Sequence, residues 1–300
     1  MEFLVTLLAP MLWASATLTD KMLVTGKGVD SKPSALMAVS GFFNLLFGVL
    51  IIWPILLWYH QTNQVMNVDA GVLIPLLLNG ATQTVAMILF LKAITHEEVS
   101  RVDPWFQTIP ALGIILAFVF IDEKLAWYHV AAIALLAIGG WIIKSSGKVS
   151  RKVIIFMLIA SLLLATNDVI FAKFGRSLDM MPAVFCDVMG KALWGLILLV
   201  GPKVRKGFIL GLKSKIRLQS ISEVLFISAD FVFDRAKIIA PVAIVQGIAC
   251  SQPVFTILGA ALLTKFAPKI LSEEQGGAFW KKLGGIILII TGGVVIAITR

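Results

Sequence analysis

The chain has 300 residues, 59% of them apolar and only 14% charged, with a formal net charge of +9 and a mean hydropathy of +0.95. A soluble domain of this size carries about a quarter charged residues, so polar side chains are too few to cover a globule and much of the exterior must face lipid. Soluble and nucleic-acid-binding readings are thereby set aside, and the positive excess is assigned to basic loops at an anionic membrane surface.

The start, Met1-Glu2-Phe3-Leu4, lacks the basic segment that opens a cleaved signal peptide, so the first apolar run reads as a permanent helix. Ten spans are expected, at residues 2–24, 33–58, 70–92, 99–121, 126–143, 152–172, 181–200, 217–236, 241–263 and 281–298; spans of roughly 20 residues fit a bilayer core. The eighth is interrupted by Glu223, Asp230 and Asp234. That pattern suits carboxylates facing an internal cavity, the alternative being a partly exposed amphipathic helix. The connections near 201–216 and 264–280 are short, basic and partly apolar, and read as interfacial segments. Cys186 and Cys250 lie inside apolar runs and form neither a disulfide framework nor a metal-ligand spacing. No metal or other cofactor is expected.

The two halves of the chain match each other. A shift of 143 positions lays the third and fourth spans on the eighth and ninth without a gap: Phe90 falls on Phe233, Lys92 on Arg235, Ala93 on Ala236, Val99 on Val242 and Pro110 on Pro253. Ten further residues, absorbed by a longer loop, bring Gly139-Gly140 onto Gly292-Gly293, and Pro33 and Gly41 answer to Pro182 and Gly190. The expected fold is therefore all-α and integral to the membrane, ten helices arranged as two five-helix repeats, 1–147 and 148–300. An odd number of spans per repeat inverts the second copy, the arrangement from which alternating access follows.

The residues Lys92-Ala93, Val99 through Pro104, Gln107, Pro110 and Phe120-Ile121-Asp122-Glu123, with Trp13-Ala14 and Lys21 in the first span, resemble the EamA-type family of the drug/metabolite transporter superfamily. The second half departs from the pattern, because Glu273 and Glu274 fall several residues later than Glu123 predicts. The resemblance implies a central cavity ringed by the first, third, fourth, sixth, eighth and ninth spans. It also implies export or exchange of amino acids, nucleobases or related metabolites across a bacterial or archaeal cell membrane, and a homodimer formed through helices 5 and 10. The glycine pairs on those helices equally suit close packing within one copy.

Lys and Arg gather in the odd-numbered connections, six of them between Lys203 and Arg217, whereas the even-numbered ones hold Lys124, Lys173, Arg176, Arg235 and Lys237. This bias places the odd connections in the cytoplasm and both termini outside, opposite to the orientation that the resemblance implies.

Charge within the hydrocarbon is costly, so each such residue is a functional candidate. Asp168 lies mid-span beside Asn167. Asp187 and Lys191 are spaced to pair on one helical face, either for substrate or as an ion pair locking two helices. Asp230 stands one turn before Asp234. Asn79, Gln83, Asp103, Gln107, Gln246 and Gln252 lie at matching depths and are candidates to line a polar pocket. Asp168 and Asp230 are candidates for proton coupling, and Pro110 and Pro253 for helix kinks.

The leading expectation is a secondary-active transporter of small polar metabolites, proton-coupled or an exchanger. The alternative is a flippase for a polyprenyl- or lipid-linked headgroup, with basic clusters holding its phosphates. An enzyme is not expected. The three histidines lie near predicted helix ends, and no His-Glu-x-x-His run, paired nucleophile and base, or Walker-type glycine loop occurs.

Overall fold

The computed structural model describes residues 5–25, 32–63, 69–97, 99–123, 127–144 and 149–266, with 284, 285, 287, 288, 291 and 292. Every regular element among them is helical. The helices are α1 (Leu8–Thr25), α2 (Pro33–Phe47), α3 (Trp53–Asn63), α4 (Ala70–His96), α5 (Val99–Val102), α6 (Thr108–Ile121), α7 (Trp127–Lys144), α8 (Arg151–Gly175), α9 (Met180–Ile197), α10 (Pro202–Ser214), α11 (Ile216–Ile239), α12 (Val242–Ala249) and α13 (Gln252–Phe266). A π-helical turn, Gly48–Ile52, joins α2 to α3. Four stretches are long and apolar enough to cross a bilayer: Pro33–Trp58, Ala70–His96, Arg151–Gly175 and Met180–Val200. The shorter apolar helices are Trp105–Ile121 and Ile244–Ala260. The described helices cover the first nine expected spans. Of the tenth, 281–298, only six residues are described, and the ten-helix count and the helix 5 and 10 dimer contact lie partly outside the described residues.

Local chemistry sets the helix starts. Pro33 occupies the first turn of α2, where its missing N–H costs nothing. Asp69 caps α4 by accepting from Gly71 N (3.2 Å), and the Ser150 hydroxyl caps α8 by accepting from Val153 N (3.3 Å). The fourth and ninth expected spans are discontinuous, but the breaks precede the prolines expected to kink them. In the fourth, a 3-10 segment, Asp103–Gln107, separates α5 from α6. In the ninth, Cys250 and Ser251 separate α12 from α13. Pro110 and Pro253 therefore sit in the first turns of α6 and α13, where no intrahelical bond is lost.

The segment 201–216, expected to be interfacial, forms helix α10 over most of its length. Helix α10 buries no residue, yet it lies on α2, with Phe208 edge-on to Phe42 at 6.1 Å. The apolar residues Leu50, Trp58, Val119, Leu162, Val224 and Leu262 are exposed on the outer faces of the spans. This is the arrangement lipid requires and water does not favour.

Packing partners come in corresponding sets. Helix α4 packs on α8 as α11 packs on α1, and α6 packs on α8 as α13 packs on α1. The basic clasps correspond as well. Lys21 Nζ, on α1, donates to the carbonyls of Ile94 (2.6 Å) and Glu97 (2.9 Å) at the end of α4. Arg176, at the end of α8, donates to the carbonyls of Lys237 (3.1 Å) and Ala240 (2.8 Å) at the end of α11. The accepting carbonyls are related by the same 143-residue shift that aligns the sequence halves. Cations at helix C-termini satisfy carbonyls that have no partner within the helix.

The motif residues Asp122 and Glu123 gain a physical role here. Asp122 closes α6 in the left-handed region (φ 54°), a conformation that Asp tolerates better than most side chains. The turn delivers Glu123, whose carboxylate accepts from Val242 N (3.1 and 3.2 Å) at the start of α12 and from Arg176 Nη1 (2.9 Å).

Two glycine pairs set the interhelical distances around α9. Gly190 meets Gly80 of α4, where a Cβ on Gly80 would overlap Gly190 C and O and Lys191 N. Gly195 meets Gly41 of α2, where a Cβ on Gly41 would lie 2.8 Å from Gly195 Cα. These backbones touch, as small-residue contacts permit in membrane bundles.

Candidate functional site

A cavity opens among α1, α4, α6, α8, α9, α11, α12 and α13. Its ring contains the six spans implied by the resemblance, and the seventh joins them through Lys191. Trp13, Phe90, Phe106, Phe226 and Phe233 give it aromatic walls; Gln83, Gln107, Asn167, Asp168, Lys191, Asp230, Asp234, Lys237, Gln246 and Gln252 give it polar ones.

The charges form two three-membered sets, each with a lysine between two aspartates. Lys237 Nζ lies 2.9 Å from Asp168 Oδ1 across the α8–α11 interface and 2.7 Å from Asp234 Oδ1 one turn back on its own helix. Lys191 Nζ contacts Asp187 one turn back on α9 and lies 2.7 Å from Asp230 Oδ2 on α11. Each set carries one more negative charge than positive. Neutral donors complete Asp168 and Asp230. Gln246 Nε2 donates to Asp168 Oδ2, Gln83 Nε2 to Asp230 Oδ2 (2.9 Å), and Trp13 Nε1 to Asp230 Oδ1 (2.9 Å). Lys237 also lies over the rings of Phe171 (4.7 Å) and Phe233 (5.1 Å), a cation–π setting that helps to hold the ammonium out of water. Buried charge is sustained only by such partners.

Of the ten sequence candidates, Gln83, Gln107, Asn167, Asp168, Lys191, Asp230 and Gln246 line this cavity. Gln107 Oε1 is buried with no hydrogen-bond partner among the described residues, leaving an acceptor ready for a ligand. The other three stand behind the wall. Asp187 is 1% exposed and reaches the site only through Lys191. Asp103 accepts from Gln252 Nε2 (3.1 Å), tying the break in the fourth span to the start of α13. Asn79 forms a reciprocal clasp: its Nδ2 donates to Asn167 O (3.0 Å), and Asn167 Nδ2 donates to Asn79 O (3.1 Å). It joins α4 to α8 and has no free face towards the cavity.

The residue that sequence reading misplaced is Lys237. The hydropathy pattern ends the eighth span at 236 and assigns Arg235 and Lys237 to a connection. Helix α11 instead runs to Ile239, and Lys237 is 4% exposed at the centre of an ion-pair set. The signal was present, since Asp234 and Lys237 sit three apart just as Asp187 and Lys191 sit four apart. Lys237 also leaves the charge count of the even connections, which sharpens the bias towards the odd side.

A helical bundle with apolar outer faces around a charged, partly unsaturated cavity defines a polytopic membrane protein with an interior binding chamber. Residues 1–145, just under half of the chain, match the model of the EamA-like transporter family, and this part of the chain is similar to that family of the drug/metabolite transporter superfamily. The members of that family are transporters, not enzymes. A solved crystal structure aligns over 98% of this chain and 95% of its own at 15% identity, with a TM-score of 0.59, a likeness of fold alone. No curated protein matches the sequence.

Proposed function

We propose that the protein is a secondary-active transporter of small polar metabolites, working by alternating access between two inverted five-helix repeats, 1–147 and 148–300, in a bacterial or archaeal cell membrane. The observation that carries this reading is the cavity at the centre of the bundle, where lysines and aspartates face one space beside the unpartnered Gln107 acceptor. Opposite charges on one wall suit a substrate that bears both an ammonium and a carboxylate, the amino-acid class, with aromatic rings to receive its apolar part. The corresponding clasps of Lys21 and Arg176 support the repeat, and a pseudo-symmetric pair of halves supplies the means to open first one side and then the other.

The test is uptake into proteoliposomes of a panel of radiolabelled amino acids, nucleobases and lipid-linked sugars. An amino acid is expected to accumulate. Asp168→Asn is expected to cut its uptake by about tenfold or more, the worth of one charge-assisted bond. If a lipid-linked sugar alone is moved, or Asp168→Asn transports like the parent, the reading is wrong.

A further inference from the structure

A second cavity lies beside the first among α1, α2, α4, α9 and α11. Gln83, Met87, Lys191, Phe226 and Asp230 line both cavities, so the Lys191–Asp230 ion pair and its Gln83 donor form the partition. Two carboxylates face the second cavity, Asp20 from α1 and Glu223 from α11. They are 8% and 6% exposed, and their protein partners are all neutral. The Ser222 hydroxyl donates to Asp20 Oδ1. The Ser40 hydroxyl donates to Glu223 Oε2 (2.8 Å), and Gln219 Nε2 donates to Glu223 Oε1 (2.8 Å).

Among the described residues, neither acid forms an ion pair with a lysine or arginine. Among the residues lining the cavity, Lys191 is the sole base, and it is already held by Asp187 and Asp230. Two lysines on or at the start of the same helices donate to backbone carbonyls: Lys21 to Ile94 and Glu97, and Lys215 to Leu23 (2.6 Å). Helices α2 and α4 contribute only neutral groups to the lining. A second feature points to a ligand. The Thr84 hydroxyl, on a residue 4% exposed, lines the cavity and makes no hydrogen bond among the described residues. Two uncompensated carboxylates inside a membrane protein are too costly to persist without positive charge. Among the described residues, no group of three or more His, Cys, Asp or Glu side chains converges as a divalent site would require.

We propose that the Asp20–Glu223 cavity binds a small monovalent cation, a proton or an alkali ion, at a site separate from the substrate cavity and divided from it by the Lys191–Asp230 pair. Carboxylate, hydroxyl and amide oxygens are the donors that such a hard ion takes. An ion seated there adjoins the partition directly. Its arrival or departure changes the field on Lys191 and Asp230, and so links its occupancy to the side of the pair that faces substrate.

The test needs neither substrate nor transport. The thermal midpoint of the purified full chain in detergent is followed against sodium at pH 8, with choline as the ionic-strength control, and against pH from 6 to 9 at fixed salt. The parent is compared with the double variant Asp20→Asn/Glu223→Gln. An alkali-ion site raises the parent's midpoint by roughly 5 °C at saturating sodium, and the double variant stays flat. A proton site instead makes the parent's midpoint fall as pH rises, because the folded state holds a proton that the unfolded chain has released; the double variant again stays flat. The proposal is overturned if parent and double variant respond alike to both sodium and pH. Should the double variant not fold, the single variants Asp20→Asn and Glu223→Gln replace it, with each expected to lose at least half of the response. Asp168→Asn, in the first cavity, is expected to retain the parent's response in full. Failure of the transport reading therefore leaves this result untouched.

Discussion

Replacing Lys237 with Met isolates the charge at the heart of the first cavity. Methionine keeps the length and apolar stem and still packs on Phe171 and Phe233, so the perturbation is electrostatic. Asp168 and Asp234 then lose a shared ammonium from which they stand 2.9 and 2.7 Å. Carboxylates about 5 Å apart repel by roughly 3 kcal/mol at an effective dielectric of about 20, before desolvation is counted. Protonation sets a ceiling on the damage. Neutralising one aspartate of ordinary pKa 3.9 costs about 4 kcal/mol at pH 7 and about 1.5 kcal/mol at pH 5, at 1.36 kcal/mol per unit. The variant is thus expected to be destabilised by about 4 kcal/mol at pH 7, within the usual range for breaking a buried pair. The sign of the pH effect follows from proton counting. The folded variant takes up a proton that the unfolded chain, above pH 4, does not, so its deficit shrinks as pH falls. Unfolding in mixed detergent, monitored by tryptophan fluorescence at pH 5 and pH 7, reads both numbers as parent-minus-variant differences. Adding Asp168→Asn and Asp234→Asn to Lys237→Met is expected to restore most of the loss. A deficit below about 1 kcal/mol at pH 7, or one that grows on acidification, refutes the reasoning.

Gly80→Ala is expected to destabilise the bundle by about 1–3 kcal/mol, since its new methyl would press on the backbone of Gly190 and Lys191 and backbone cannot rotate away. Gly113→Ala is the control: the atoms nearest its methyl belong to the Gln246 side chain, from 3.5 Å, an ordinary contact, and the same unfolding assay is expected to place it level with the parent or up to about 1 kcal/mol above it, the gain of Ala over Gly inside a helix. Asn79→Ala removes the bond from Asn79 Nδ2 to Asn167 O, leaves the one from Asn167 Nδ2 to the Asn79 carbonyl, and is expected to cost about 0.6–1.7 kcal/mol. Asn79 does not line the cavity, so substrate affinity in a binding assay is expected to change by less than about twofold. A tenfold affinity loss would return Asn79 to the site.

The helical class, the first nine spans and the cavity-lining identity of Asp168, Lys191, Asp230, Gln83, Gln107 and Gln246 were legible because charge in an apolar run is informative by itself. What stayed hidden depended on geometry between helices. Nothing in the spacing of Asp20 says that Ser222 will meet it, and nothing near Glu223 predicts Ser40 as a donor. Lys237 was missed for a different reason. Together with Arg235 it lowers the local hydropathy enough to end the predicted span early, so the residue that completes the ion-pair set disguises itself as a loop. The prolines illustrate a third limit. Pro110 and Pro253 were expected to kink the fourth and ninth spans, but whether a proline kinks a helix or opens one depends on where the helix begins, and both open one.

The frame and the chemistry of this protein follow different rules. The frame repeats: Lys21 and Arg176 close equivalent helix ends, and the fourth and ninth spans break at equivalent places. The chemistry does not. All six members of the two ion-pair sets, Asp168, Asp187, Lys191, Asp230, Asp234 and Lys237, come from the second half of the chain, while the first half offers Trp13, Gln83 and Gln107 to the cavity. Under the proposed alternating access, a repeat that exchanges conformations needs its paired contacts to be nearly equal in energy, which favours keeping the backbone clasps alike in both halves. Charge placed equally in both halves would instead double the buried cost without adding a second cargo site. Concentrating it on α8, α9 and α11 lets one half hold the fixed charge while the neutral donors of the other close over it. The Lys191–Asp230 pair, with Gln83 and Trp13 bonded to its carboxylate, is where the halves meet, and it lines both cavities.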